Sequence, residues 1–216
     1  MKSPQIIKEA CIGSLQEAQR YVQLAQQGGI DRIETCARLD QGGLTPAVAV
    51  YDYIARHNVA QVVMIRRSSA GFVLRSRAEL TRLEADVRLY RSRGATEFVF
   101  GYLTPAGTID VDTCQRLIDV IRTTGPTGAR WVFHMAIDAV QNYDQALQTL
   151  IDLGFSRVLT KGGPGCAQDN LKTLQTLQRA WGDQIELVVG GKVTAANYHS
   201  ICQVTGIKQV HGVKIA

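Results

Sequence analysis

The sequence has little of what marks a secreted or membrane protein. Its five cysteines are scattered and form no Cys-x-x-Cys pair, which argues against both a disulfide framework and a structural zinc site. The N-terminal stretch MKSPQIIKEACIG lacks the apolar core, about 7–15 residues long, that a signal peptide needs. No run of residues approaches the length and apolar character of a membrane span. We therefore expect a cytoplasmic protein.

Two further absences narrow the choice of partners. No Gly-x-Gly-x-x-Gly follows the first predicted strand, so no nucleotide cofactor is expected. The net charge is +5, and residues 66–93 alone hold eight arginines against three acidic residues. However, the few aromatic residues of this segment do not alternate with its arginines, and most of these arginines fall on a predicted solvated helix face. Nucleic-acid binding is therefore not expected.

Short apolar, β-branched runs recur along the chain every 24 to 35 residues, the length of a strand plus a crossover helix. Amphipathic segments with helical periodicity separate them, such as the stripe of Ala47, Val50, Tyr51 and Ile54. This alternation predicts an α/β fold, a single (β/α)8 TIM-barrel domain over residues 1–216. The eight predicted strands begin at residues 6, 32, 62, 97, 131, 157, 185 and 209.

The predicted barrel departs from the ideal at its last element. The eighth strand ends close to Ala216, so the sequence provides no eighth outer helix. The outer, apolar side of the first and last strands would then be bare, and such a patch usually needs a cover. We expect rearranged neighbouring helices or a second copy of the chain to cover it. The chain is accordingly predicted to form a homodimer or a larger homo-oligomer.

Ionisable or soft side chains recur near the carboxyl ends of the predicted strands, where the active sites of TIM barrels lie. Alternation along each strand places several of them on the same side. Burying charge costs several kcal/mol unless it is paired, so a purely structural interior would hold Val, Ile and Leu instead. We predict that these side chains meet in one polar pocket at the mouth of the barrel. They are Glu9, Cys11, Glu34, Cys36, Arg66, His134, Asp138, Lys161 and His211.

Glycines follow the sixth and seventh predicted strands, at the end of the barrel where phosphate groups are often bound. Backbone amides exposed at such glycines, next to a helix that starts at Thr194, can cradle an anion. The alternative is that Gly190 and Gly191 only turn the chain. The candidate ligand- or phosphate-binding residues are Lys161, Gly162, Gly163, Gly190, Gly191 and Lys192.

Several stretches, in order over nearly the whole chain, resemble the CutC family of copper homeostasis proteins, which are TIM barrels. The chain departs from the family pattern at Arg67-Ser68, where the family has Pro-Arg, and at Met135, where it has an arginine. The resemblance implies a cytoplasmic role in copper homeostasis. The matching stretches are DRIETCARLDQGGLTP (31–46), VVMIRRSSAGF (62–72), GYLTPAGTID (101–110), VFHMAID (132–138), RVLTKGG (157–163), VVGGKV (188–193) and VHGVKI (210–215).

The resemblance leads to a first functional hypothesis, a copper(I) site at the barrel mouth. Copper(I) prefers soft thiolate ligands, with imidazole acceptable. Cys11 and Cys36 lie on neighbouring predicted strands, so their sulfurs could bind one ion, with His134 or His211 behind them. The structural alternative is that both cysteines are small, inert core residues.

The second hypothesis is an enzyme that acts on a small phosphorylated or carboxylate metabolite. Glu9 and Glu34 would serve as acid or base, Arg66 would clamp the anionic group and His134 would shuttle a proton. The structural alternative is that the two glutamates only pair with Arg66 and Arg67 in an internal ion network. The candidate catalytic residues are Glu9, Glu34, Arg66, His134, Asp138 and His211.

Overall fold

The computed structural model describes residues 5–216, which form a closed barrel of eight parallel strands surrounded by helices. Residues 1–4 lie outside the described residues. They belong to the predicted domain 1–216 and to the N-terminal stretch MKSPQIIKEACIG. The strands are β1 (Ile7–Ile12), β2 (Arg32–Thr35), β3 (Gln61–Met64), β4 (Glu97–Phe100), β5 (Arg130–Phe133), β6 (Arg157–Thr160), β7 (Glu186–Val189) and β8 (Gln209–Gly212).

Seven α-helices connect the strands of residues 5–216, and three 3₁₀ turns follow β2, β5 and β6. Within these residues no helix is both long enough and apolar enough to cross a bilayer. The helices are α1 (Leu15–Gln26), α2 (Val48–Arg56), α3 (Arg77–Ser92), α4 (Val111–Thr123), α5 (Tyr143–Asp152), α6 (Leu171–Trp181) and α7 (Tyr198–Thr205). The 3₁₀ turns are Leu39–Gln41, Met135–Ala139 and Ala167–Asn170.

The predicted TIM-barrel architecture is confirmed. Each strand pairs in parallel with the next along the chain, and β8 closes the barrel against β1, with Glu9 opposite His211. Every strand begins within one residue of its predicted start. Because side chains alternate along a strand, one set faces the helices and the other faces the barrel axis.

The two sets of side chains form two separate apolar cores. Outward residues such as Ile33, Val63 and Phe98 belong to the large core between the barrel and the helices. The second core is small and lies inside the upper half of the barrel, where Met64 and Val99 contact Cys11, Cys36 and their neighbours. The thiols therefore lie among the few apolar residues of the barrel interior.

The lower half of the barrel interior is charged rather than apolar. Arg32 donates to Glu9 and, over 3.0 Å, to the side chain of Gln209. Across the barrel, Arg157 Nη2 lies 2.7 Å from Glu97 Oε1, and the Arg157 side chain is only 2% exposed. Removing one partner of a buried ion pair costs about 3–5 kcal/mol, so each charge of this layer depends on its partner.

In the described part of the chain, the outer side of β1 and β8 is covered without a second copy of the chain. Ala10 and Ile12 on β1 and Val210 on β8 are fully buried within the single chain. The hydroxyl of Tyr21, on α1, donates over 2.6 Å to the carbonyl of Val213, just after β8. The chain itself covers this flank, so an uncovered flank no longer argues for a homo-oligomer. The homo-oligomer stays a prediction.

Candidate functional site

A cavity of about 200 Å³ lies at the carboxyl ends of the strands. Five of the polar residues predicted from strand alternation line it: Cys11, Glu34, Arg66, His134 and His211. Cys11, Glu34 and His211 lie on β1, β2 and β8. Arg66 lies two residues after the end of β3, and His134 lies directly after β5. The closed barrel therefore brings together side chains that are far apart in the sequence.

The two cysteines share the carboxyl group of Glu34. The sulfurs of Cys11 and Cys36 are 3.9 Å apart, and they lie 3.4 Å and 3.2 Å from Oε1 of Glu34. The loop that follows β2 closes over this group at Gly43, whose φ of +82° is a left-handed conformation that glycine adopts without a Cβ penalty. A Cβ there would also lie 3.3 Å from the Cys36 sulfur.

The environment separates the protonation states of the three groups. A hydrogen bond from Cys36 lowers the pKa of Cys11, and His211 adds to this, so that it reaches about 5 despite burial. The same contact between the sulfurs, together with burial, raises the pKa of Cys36 well above its ordinary value. Burial also raises the pKa of Glu34 to about 8. The surroundings therefore favour the thiolate form of Cys11, the thiol form of Cys36 and the protonated carboxyl form of Glu34.

His211 connects this group to the charged layer below it. Its Nδ1 lies 2.8 Å from Glu9 Oε1, and its Nε2 lies 4.0 Å from Glu34 Oε1. Burial lowers the pKa of His211, but Glu34, Cys11 and Glu9 together raise it well above the ordinary value. Burial raises the pKa of Glu9, yet Arg32 and His211 outweigh this and hold it well below the usual range. Glu9 thus carries a negative charge between two positive ones.

Two sets of ligand atoms lie close enough to hold a metal ion. The donor atoms of Cys11, Glu34 and Cys36 all lie within 4.8 Å of one another, and so do those of Glu9, Glu34 and His211. The first set offers sulfur, which suits soft ions such as copper(I), and the second offers oxygen and nitrogen. Because Glu9 is already paired with Arg32 and His211, the first set is the more available of the two.

Arg66 and His134 form the other side of the cavity. Arg66 Nη1 donates to the carbonyls of Gly42 and Gly43 over 3.0 Å and 3.2 Å, and its guanidinium carbon lies 5.1 Å from the centre of the Phe72 ring. Neither Glu9 nor Glu34 pairs with it. Burial and the charge of Arg66 lower the pKa of His134 to about 3, so this imidazole is neutral.

Asp138 lies away from this cavity, on the other side of β6. Its carboxylate accepts hydrogen bonds from the backbone amides of Lys161 and Gly162 and from the hydroxyls of Tyr143 and Thr160. The 3₁₀ turn that begins directly after His134 ends the alternation of β5, and this is why the two residues do not point the same way. The structure therefore places Asp138 where it holds the loop that follows β6.

The predicted phosphate-binding residues lie over β6 and β7 and do not line the cavity. The amides of Lys161 and Gly162 already donate to Asp138, and the amide of Gly190 donates to Thr160 O over 3.0 Å. Gly191 adopts a left-handed φ of +81°. The remaining members of the predicted set, Gly163 and Lys192, also have positive φ, at +138° and +62°.

Sequence reasoning predicted Glu9 but missed Arg32, Glu97 and Arg157 of the lower layer and one wall of the cavity. Arg32 is two residues before Glu34, so strand alternation alone could have placed it inside the barrel. Arg157 is likewise two residues before Leu159, which lines the cavity, so the two side chains lie on the same side of their strand. Phe72 also lines the cavity, but it lies in the loop between β3 and α3, where no periodic signal points to it.

Fold and cavity together define a class of protein, a (β/α)8 barrel with a thiol-rich pocket at the carboxyl ends of its strands. The model of the CutC family matches residues 6–216, and this chain belongs to the CutC family. A CutC family protein of Treponema denticola is 36% identical over 204 residues, which cover 94% of this chain and 79% of the relative.

Two further relatives extend the comparison. The human copper homeostasis protein cutC homolog is 34% identical over 205 residues, which cover 95% of this chain and 72% of the relative. A crystal structure of a CutC protein from Streptococcus agalactiae superposes with a TM-score of 0.88 at 32% identity, and the match covers 98% of this chain and all of that one. The barrel is therefore the fold of this family.

Proposed function

We propose that this protein binds copper(I) through Cys11 and Cys36 and acts in copper homeostasis in the cytoplasm. One observation carries the proposal: two cysteine sulfurs lie 3.9 Å apart beside a carboxyl group, and one of the two residues, Cys11, lines the cavity. The name of the human relative refers to copper homeostasis, which supports the same ion. The five cysteines are free thiols, a state that a reducing compartment preserves.

The distance between the sulfurs suits a shared ion. A thiolate binds a borderline-soft metal such as zinc at about 2.3 Å, so two sulfurs on one such ion are at most about 4.6 Å apart. Cys11 and Cys36 meet this condition at 3.9 Å. A metal binds the thiolate form of cysteine, and the lowered pKa of Cys11 favours this form.

The surroundings of the thiols favour retention of the ion. Cys36 is fully buried and Cys11 is 6% exposed, which limits access of water and of competing chelators. His211 lies beside Glu34 with its other nitrogen held by Glu9, and such a fixed ring orientation is common around metal ligands. Glu34 and His211 would thus orient the two sulfurs and provide a further donor.

The test is an anaerobic competition titration of the reduced protein against a chromogenic copper(I) chelator. We expect one copper(I) per chain. Cys11→Ser and Cys36→Ser should each weaken binding by at least about 10-fold, since changes to groups that merely support a metal ligand already cost 10–100-fold. Cys166→Ser is the matched control, because Cys166 lies outside the cavity and donates to Asp169 over 2.9 Å.

Two results would count against the proposed ligands. One is wild-type copper(I) affinity in the Cys11→Ser, Cys36→Ser double variant, with its fold verified by circular dichroism. The other is an equal loss of affinity in Cys166→Ser, which would mean that any thiol of the chain contributes. Either outcome leaves the fold and the family unaffected.

The second candidate, an enzyme for a small phosphorylated or carboxylate metabolite, has one observation in its favour. Arg66 and His134 face the same cavity as Glu34 and Cys11, so an anion and an acid–base group could meet there. The predicted phosphate cradle supports it less, because the amides of Lys161 and Gly162 are already bonded to Asp138. We therefore rank copper(I) binding first.

A further inference from the structure

The guanidinium of Arg66 is a buried charge without a counter-charge. The residue is only 7% exposed, and the hydrogen bonds of its guanidinium run from Nη1 to backbone carbonyls of residues 41–43. Among residues 5–216 its Nε has no hydrogen-bond acceptor. A buried charge of this kind costs several kcal/mol unless something pairs with it. In a guanidinium, Nε and a neighbouring Nη form the fork that matches a carboxylate.

A second buried donor lines the same cavity. His134 is 4% exposed, and its Nδ1 accepts a hydrogen bond from the amide of Ala136 over 3.2 Å. A neutral imidazole that accepts at Nδ1 carries its proton on Nε2. Within the described part of the chain this Nε2 also lacks a partner. Phe72 lies between the two residues, with its ring centre 5.1 Å from both the guanidinium carbon and the imidazole centre.

We infer that Arg66 and His134 bind the carboxylate of a small monocarboxylic acid, whose apolar part lies against Phe72 and Met64. The cavity of about 200 Å³ corresponds to roughly six or seven water molecules, which suits an acid of about six non-hydrogen atoms. Phe72, Met64, Met135 and Leu159 provide apolar wall for the remainder of the molecule. The site is distinct from the two sulfurs proposed for copper and needs no metal.

Charge on the facing wall favours a monoanion over phosphate. Glu9 is paired with Arg32 and His211, and Cys11 lies beside His211, so Arg66 is the one cation of the cavity wall that has no anionic partner among the described residues. A dianion carries two negative charges, and Arg66 offers only one positive charge to balance them. A carboxylate would use the free Nε edge of Arg66 and leave its second oxygen for His134 Nε2.

The test uses metal-free, reduced protein labelled with nitrogen-15 and titrated with sodium butyrate. Sodium chloride keeps the ionic strength constant, and inorganic phosphate is titrated in a separate sample. We expect a saturable shift of the Arg66 Nε–H resonance with butyrate, and with phosphate only the shift that chloride also produces. The resonance is assigned by its loss in Arg66→Lys.

Variants separate the two donors. Arg66→Lys keeps the charge but loses the fork, and His134→Asn keeps an acceptor for the Ala136 amide but loses the Nε2 donor. Each should weaken butyrate binding, measured by calorimetry, at least about 10-fold, the value of a charged hydrogen bond. Arg82→Lys, on the exposed face of α3, is the matched control and should bind as the wild type does.

Three results would overturn the inference. The first is the lack of a saturable butyrate shift in the wild type, which is decisive even if a variant does not fold. The second is a saturable shift with phosphate and none with butyrate, which would make this a phosphate site. The third is unchanged butyrate affinity in folded Arg66→Lys. Because copper is left out, none of these results bears on the proposed copper site.

Discussion

Replacing Glu97 by Gln should lower the free energy of unfolding by about 3–5 kcal/mol, the usual cost of removing one partner of a buried ion pair. Glu97 Oε1 lies 2.7 Å from Arg157 Nη2 and 3.4 Å from Arg130 Nε. The Arg130 side chain is largely exposed, so water would still hydrate its charge without Glu97. The Arg157 side chain is 2% exposed, so its charge would stay inside the barrel without a partner. The penalty therefore comes from Arg157.

Urea denaturation followed by circular dichroism measures this effect. The control is Asp183→Asn, which removes a carboxylate of the same charge from an exposed position and should leave the free energy of unfolding within about 0.5 kcal/mol of the wild type. A loss of less than about 1 kcal/mol in Glu97→Gln would mean that Arg157 does not depend on this carboxylate, since typical single substitutions cost about that much.

A double variant distinguishes loss of charge pairing from loss of packing. In Glu97→Met, Arg157→Met no charge of the pair remains inside the barrel, and two apolar side chains of similar length take the same space. Replacing a buried ion pair in this way is often neutral or stabilising. We expect the double variant to be more stable than Glu97→Gln, and a lower stability would show that the two polar side chains make other essential contacts.

The barrel could be predicted from the sequence because the signal was local and repeated. Strands such as Arg32–Thr35 and Glu97–Phe100 began where the apolar runs began, and a crossover helix after each strand allows few other topologies. The charged interior could not be predicted as readily. Arg32 and Glu97 each open a strand, and the register of the closed barrel shows that both side chains lie inside.

The candidate site, like the fold, could be predicted from the sequence only in part. Strand alternation indicated that Cys11, Glu34 and His211 would meet, and they do lie around one cavity, while their roles stay predictions. Asp138 does not line this cavity, because strand alternation ends where the 3₁₀ turn Met135–Ala139 begins. A two-residue period holds only as far as the strand extends. The loops that follow the strands had to be seen in the structure.

Two groups of polar residues lie at this cavity. Cys11 and Glu34 line it and contact Cys36, and Arg66 and His134 also line it and present donors without acceptors in the described chain. The group with the thiols suits a soft cation, and the group of donors suits an anion.

Stability should depend on pH through His134, by roughly 2 kcal/mol between about pH 8 and pH 5. Burial and Arg66 lower its pKa from the ordinary 6.5 to about 3 in the folded protein. Between these two values the unfolded chain binds a proton that the folded chain does not bind. Protonation therefore favours unfolding, so the contribution is present above about pH 6.5 and is lost as the pH falls towards 3.

His134→Asn isolates this contribution, because asparagine can accept the hydrogen bond from the Ala136 amide but does not titrate. Urea denaturation of both proteins near pH 8, 6.5 and 5 gives the two free energies of unfolding at each pH. We expect the wild type to lose about 2 kcal/mol more than the variant over this interval. Equal losses would mean that His134 is protonated in the folded barrel, which would place a second positive charge beside Arg66 and leave the cavity without its neutral donor.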